Sequence, residues 1–221
     1  MRNSIVRYVY QKNNFFFNYL RTACKILNIG QFDKQVYERK EKSKYKKVKK
    51  DIEMCKEEGA EYIICMLHIG GQYNNEPTAL TKEICDLCLK FGADSIIANH
   101  EHVIHPLKSE KKFCIYSLGN LLAPTGILEE PYDKLSQYSV GINLDIKKKN
   151  GKIFTKYSFK IFTSFLDKDG IIKCRSVKSL VDEIDDCDCK KKIEEECQIL
   201  LNRIYGTQNV LYSLEEEYDI E

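Results

Sequence analysis

The sequence contains no tryptophan, no marked excess of either charge, and no apolar run near the roughly 18–20 residues that a membrane-crossing helix needs. The missing apolar run excludes a transmembrane segment in this chain. The charge balance, 35 Lys+Arg against 33 Asp+Glu for a net +2, excludes a globally basic nucleic-acid binder, so no nucleic-acid partner is expected. The opening MRNSIVRYVYQKNNFFF lacks both an apolar core and a small-residue cleavage site, so it does not read as a signal peptide, and the chain as given reads as cytoplasmic. The lack of Trp alongside abundant Lys, Ile and Asn reflects AT-rich coding and carries no chemistry.

What remains is ample for a folded body: 221 residues, 43% hydrophobic and 31% charged, enough for one domain with a tail. Ten cysteines could suggest a disulfide framework, but Cys65 and Cys114 sit in the apolar runs YIICML and KFCIYSL. Cys85 and Cys88 fall on the apolar face of a predicted helix. These read as small buried hydrophobes with free thiols in a reducing compartment. Cys187-Asp-Cys189, with Cys197 near, reads as exposed or half-buried thiols, with a soft-metal site as the alternative.

Along the chain, Tyr8–Phe17 and Tyr19–Leu27 are aromatic-rich without a clean period; the latter could form a short helix. The Lys-rich stretch over 38–50 reads as a solvated helix face, or as a patch for phosphate or an acidic polymer. Val48, Ile52 and Cys55 recur at helical spacing until Gly59. EYIICMLHIGG then reads as a buried parallel strand. Pro77 opens a helix with apolar positions Leu80, Ile84, Leu87, Cys88 and Phe91, closed by Gly92. DSIIAN and FCIYSLGN read as further strands. The order helix, strand, helix, strand, strand predicts a mainly parallel α/β sheet. Beyond it, Asn150-Gly151 joins two alternating segments as a hairpin. From Ser176 the apolar positions Val177, Leu180 and Ile184, then Ile193, Cys197, Leu200, Leu201 and Ile204, predict two amphipathic helices. The LEEEYDIE end is expected to fray.

All four histidines lie between residues 68 and 105. His68 ends the first strand. His100 and His102 follow the second and, two apart in extended chain, would point to the same side. Ligand sites in parallel sheets form beyond the carboxyl ends of the strands, and neutral imidazoles there read as metal ligands.

LHIGGQYNNEPT, a helix ending KFGADSIIANHEHVIHPL, and FCIYSLGNLL together resemble the CapA-type family of capsule and poly-γ-glutamate synthesis proteins, relatives of the calcineurin-like metallophosphoesterases. The family pattern runs His-Trp-Gly-Gly-x-Tyr, Gly-Ala-Asp, Gly-His-His-Pro-His, Tyr-Ser-Leu-Gly-Asn. The resemblance implies part of a layered αββα fold, in which two sheets pack with helices outside. It divides the chain into an unmatched segment 1–43, a half-domain 44–165 and a helical acidic tail 166–221. It implies a hydrolase-type site in which His68, His100 and His102 hold a divalent ion (Mn, Zn, Fe or Mg), His105 and Asn120 are catalytic, and Gly70, Gly71, Tyr73, Asn99 and Ser117 contact substrate. The implied substrate is an anionic exopolymer or its precursors.

The departures are as informative. Ile69 replaces the family Trp, and Ala98-Asn99-His100-Glu101-His102 replaces Gly-His-His-Pro-His. No Asp-x-His, Gly-Asp or Asn-His series precedes residue 68, so the bridging carboxylate of a two-metal centre is lacking. The expectations are that this chain alone is inactive or holds one ion weakly, that another chain could complete its sheet, and that a fuller form with an N-terminal anchor would sit at the cell envelope. The alternative is a non-catalytic, partner-binding module of the same fold.

Overall fold

The computed structural model describes residues 46–71, 73–123 and 135–220. The aromatic-rich segment Tyr8–Phe17 and the short helix expected at Tyr19–Leu27 lie outside them. The chain divides into two compact units between Asp51 and Ile52. Of the first, only residues 46–51 are described, as the opening turns of a helix, α1, over 46–57. Gly59, at φ +88°, ends it, and its N–H donates to the Lys56 carbonyl at 3.0 Å.

In the second unit, β1 (Ile64–His68), α2 (Ala79–Phe91), β2 (Ser95–Asn99), β3 (Leu107–Lys108) and β4 (Phe113–Ile115) form the first layers. The sheet order is β1-β2-β4-β3, with β1, β2 and β4 parallel and β3 antiparallel. α2 is capped by Thr78, whose Oγ1 accepts from the Thr81 N–H, and by Gly92 in the left-handed region. Pro77 therefore precedes the cap instead of opening the helix.

β1 differs from the strand buried on both faces that its composition predicts. It is the edge of its sheet, and Ile64 and Met66 are 40% and 80% exposed. An unbroken apolar run reads alike for a central strand and for an edge strand with one face uncovered by the described residues.

The second sheet contains β5 (Tyr138–Lys149), β6 (Lys152–Leu166) and β7 (Ile172–Ser176), with β8 (Tyr218–Ile220) added to β6. β5 and β6 form the expected hairpin. Asn150 and Gly151 turn at φ +52° and +75°, the backbone that a two-residue hairpin matched to strand twist requires. Helices α3 (Val177–Glu183) and α4 (Cys187–Tyr205) follow, capped by Ser176 and Asp186. Asp186 accepts from the Asp188 and Cys189 amides and so caps the start of α4.

Phe113 and Ile115 of the first sheet meet Tyr138, Val140, Phe159 and Ile161 of the second, together with Val177, Val181, Cys197, Leu200, Leu201 and Ile204 of the helices, in one core. The helical tail is thus part of the body. Its extreme end is ordered rather than frayed: Tyr218 stacks on Phe159 at 4.9 Å, and the Ser158 hydroxyl and Asn143 amide donate to the Glu217 carboxylate. The acidic run concealed a strand because its partners, β6 residues 157–159, lie far away in sequence.

The sheets are also joined through their backbones. Gly119 bridges Ser139, the Val140 N–H donates to the Leu118 carbonyl at 2.8 Å, and the Asn120 N–H donates to the Tyr138 carbonyl at 3.3 Å. Gly119 sits at φ +79°, and a side chain there would overlap the Tyr138 carbonyl. The whole is a mixed α/β fold, compatible with part of a metallophosphoesterase-like fold. Among the described residues, no helix is long and apolar enough to cross a membrane.

Candidate functional site

In the parallel register His68 pairs with Asn99, so His68 and His100 leave adjacent strands side by side. Their rings meet edge to face with centroids 4.6 Å apart, and His68 Nε2 lies 2.8 Å from His100 Nδ1. One of these nitrogens must donate and the other accept. Desolvation, and after it the neighbouring His68 and His102, push the His100 pKa below the usual imidazole value.

The chain beyond β2 is not extended. His100 and His102 occupy positive φ, +130° and +64°, so the period-two argument that placed their side chains together does not apply. Such backbone costs on the order of 1–3 kcal/mol per residue and persists only where its surroundings hold it. Here they do. The His100 N–H donates to Asn99 Oδ1 at 3.0 Å, the Tyr73 N–H to the Glu101 carbonyl at 2.8 Å, and Asn120 Nδ2 to the His102 carbonyl at 3.1 Å. Tyr73, itself at φ +59°, stacks on His102 with centroids 5.1 Å apart. The His100 and His102 centroids are 6.1 Å apart.

Asn120 also fixes which nitrogen of His102 carries its proton. Its Nδ2 donates to two carbonyls, His102 and Ser136, both at 3.1 Å, so Oδ1 is the atom 2.8 Å from His102 Nδ1. Oδ1 can only accept, hence His102 is protonated at Nδ1 and its Nε2 keeps the lone pair. Asn99 and Ser117 lie beneath: Ser117 Oγ donates to Asn99 Oδ1 at 3.2 Å, and Asn99 Nδ2 to the Gly119 carbonyl at 3.4 Å. Both side chains hold the loop together.

His105 does not join the cluster. It is fully buried and its Nε2 donates to the Asn74 carbonyl at 2.6 Å. Its Nδ1 is buried without a partner, and burial holds its pKa down.

Glu101, between the two strained histidines, turns inward and is fully buried, with neither carboxylate oxygen hydrogen-bonded. Burial pushes its pKa up, and the nearby Gly71 N–H and His102, close enough to act on the charge without a well-formed hydrogen bond, oppose this only in part. A side chain at Gly70 would overlap this carboxylate, and one at Gly71 would overlap the Asn74 amide. The glycine pair makes room for the protein's own side chains, where the sequence suggested room for a ligand. Glu101 and Asn74 are the residues that sequence reasoning underrated. The only signal for them was the departure from Gly-His-His-Pro-His and the Asn-Asn pair before Glu76.

Three imidazoles therefore gather at the strand ends, but not around one point. His68 and His100 spend facing nitrogens on each other, and His102 spends Nδ1 on Asn120. No three His, Cys, Asp or Glu side chains among the described residues are placed to hold a metal ion. Two cations about 3.5–4 Å apart would also need a bridging anion, and Glu101 faces Gly70 instead. The residues do not fit a two-metal centre. Nor do the cysteines: Cys187 and Cys189 are exposed at the start of α4, while Cys197 is in the core. Two concavities, one of about 730 Å³ beside Asn75, Glu76 and the end of α4, another of about 360 Å³ beside Tyr62, Asp94 and Tyr157, include none of the histidines.

Residues 16–125 match the family model described as bacterial capsule synthesis protein PGA_cap. The match begins inside the segment that sequence reading left unmatched. The chain is similar to the capsule biosynthesis protein CapA of Bacillus anthracis, 30% identical over 123 residues, covering 53% of this chain and 29% of that protein. It is also similar to the PGA biosynthesis protein CapA of Bacillus subtilis (strain 168), 30% identical over 93 residues, covering 42% of this chain and 23% of that protein. The matched region thus spans under a third of either relative.

Proposed function

The chain belongs to the bacterial capsule synthesis protein family, and on that premise we propose that it serves in the synthesis or handling of an anionic exopolymer of the poly-γ-glutamate type, with His68, His100 and His102 as its contact point. The observation that carries this reading is the His68–His100 pair, 2.8 Å apart at the carboxyl ends of adjacent parallel strands. When neutral, the ring of the His68–His100 pair that accepts at its facing nitrogen keeps an outward N–H for a polymer carboxylate, and protonation lets the rings, His102 included, add charge-assisted bonds. Tyr73 and Asn120 hold His102 beside them.

A hydrolase-type site would rest on a divalent ion (Mn, Zn, Fe or Mg) that polarises the substrate oxygen and activates water, with His68, His100 and His102 as the residues to hold it. The present disposition of the rings favours binding without turnover. A second reading, a non-catalytic module that another chain completes, draws on β1, an edge strand that also exposes Ile64 and Met66 on one face.

The test is calorimetric titration of the full chain with poly-γ-glutamate and with neutral dextran. Binding should be selective for the acidic polymer, weaken with salt, and drop at least tenfold in the His68→Ala/His100→Ala double variant. Undiminished binding by that variant, with circular dichroism unchanged, would remove the cluster from the function. Polymer hydrolysis that requires Mn²⁺ or Zn²⁺ and is lost in His102→Ala would replace the non-catalytic reading with the enzymatic one.

A further inference from the structure

Four of the ten cysteines meet beneath α2. Cys65 on β1 and Cys114 on β4 are each in register with Ile96 of the intervening β2, so the three form one row on a single face of the sheet. Cys85 and Cys88, three apart on α2, both lie on its buried face. The helix thiols meet the row in two pairs. Cys88 neighbours Cys65, and Cys85 neighbours Cys114. The pairs differ in access. Cys85, Cys88 and Cys114 are buried, whereas Cys65, on the edge strand, is half-buried.

We propose that Cys65 and Cys88 form a dithiol switch, oxidised to a disulfide by exchange with a low-molecular-weight disulfide, while Cys85 and Cys114 stay reduced. The Cys65 thiolate attacks one sulfur of the small disulfide, forms a mixed disulfide and expels one small thiolate. Cys88 then gives up its proton and attacks Cys65 Sγ, which forms the Cys65–Cys88 bond and expels the second thiolate. The two protein thiols lose two electrons and two protons, and the small disulfide becomes two thiols.

The division of roles follows from access. Cys65 lies half-buried on the edge strand, where a small disulfide can reach it, whereas Cys88 is enclosed on the buried face of α2. Cys65 is therefore the entry thiol and Cys88 the resolving one. The product would tie β1, just before His68, to the last turns of α2. The closed loop would contain His68, Gly70, Gly71 and Tyr73, so the oxidation state would set the freedom of the segment carrying the first histidine. This inference stands whether or not the cluster binds an exopolymer.

The test uses the full, reduced chain incubated with glutathione disulfide under native, mildly alkaline conditions. The products are alkylated, digested with trypsin without reduction, and read by mass spectrometry. The expected product joins peptide 57–82 to peptide 83–90 with the loss of two hydrogens. Fragmentation of that wild-type cross-link assigns the second half-cystine directly, so the result does not depend on a variant folding. In Cys88→Ser, oxidation should stop at a glutathione adduct on Cys65. In Cys85→Ser, the cross-link should persist. Absence of the cross-link in the wild type, its assignment to Cys85, or a dominant Cys85–Cys114 bond would each overturn the proposal.

Discussion

The α-carbon of Gly70 lies against the buried carboxylate of Glu101, so closely that a methyl group at residue 70 would overlap it. Gly70 is also at φ +127°, a backbone region that other residues rarely adopt. Gly70→Ala should therefore cost about 2–4 kcal/mol, combining backbone strain with overpacking. Urea denaturation checks this. Gly151→Ala, at a turn with open space around it, should cost less.

Asn120 satisfies two carbonyls and one ring nitrogen at once. Asn120→Ala should destabilise the fold by roughly 1–3 kcal/mol through the carbonyls it leaves unpaired. Nitrogen chemical shifts should show His102 protonated at Nδ1 in the wild type and in tautomeric exchange in the variant. An Nε2-protonated ring in the wild type would contradict the assignment.

Burial lowers the His105 pKa from its ordinary 6.5, and that of His100 moves the same way. Below about 6.5 the unfolded chain binds protons that the folded chain refuses, so stability is complete above that value and is lost as the pH falls. Carboxylates held low by partners, Glu183 by Arg175 and Glu217 by Ser158, act only below their ordinary 4.5. Glu101, raised by burial, works in the opposite sense. Melting temperature should fall between about pH 7 and pH 5, and fall less steeply in His105→Gln, which retains a donor for the Asn74 carbonyl. Parallel profiles would show that His105 is not the group responsible.

Tyr218 is buried in the last strand, where its hydroxyl accepts from the Glu215 N–H at 3.0 Å and its ring stacks on Phe159. Tyr218→Ala should cost about 3–5 kcal/mol, the range for a buried aromatic residue reduced to alanine. An unchanged denaturation midpoint would mean that the end of the chain is dispensable.

How far the sequence disclosed all this follows from the range of each interaction. β1, α2, β2, β4 and the Asn150-Gly151 hairpin carry their own periodicity, caps or turn residues, and they are legible without tertiary knowledge. β8 does not, because EYDI is a strand only by virtue of β6. The histidines could be located at strand ends, since that follows from topology. Their orientation could not be read, because it depends on the positive φ of His100 and His102, held by Asn99, Tyr73 and Asn120. Nor does sequence spacing reveal that Glu101 turns inward into the space left by Gly70.

Loops beyond strand ends are commonly the softest part of an α/β fold, opening far more readily than the whole. The backbone seam through Leu118, Gly119 and Asn120 to β5 makes that an unsuitable expectation here. It merges the two sheets into one cooperative unit, and the histidine loop is fastened to it through Asn99 and Asn120. The amide of Val140 should exchange with solvent only when the entire unit opens. On the proposed reading, a polymer arriving at the imidazoles would meet a surface already ordered, and its affinity would not be reduced by the entropy of organising the loop.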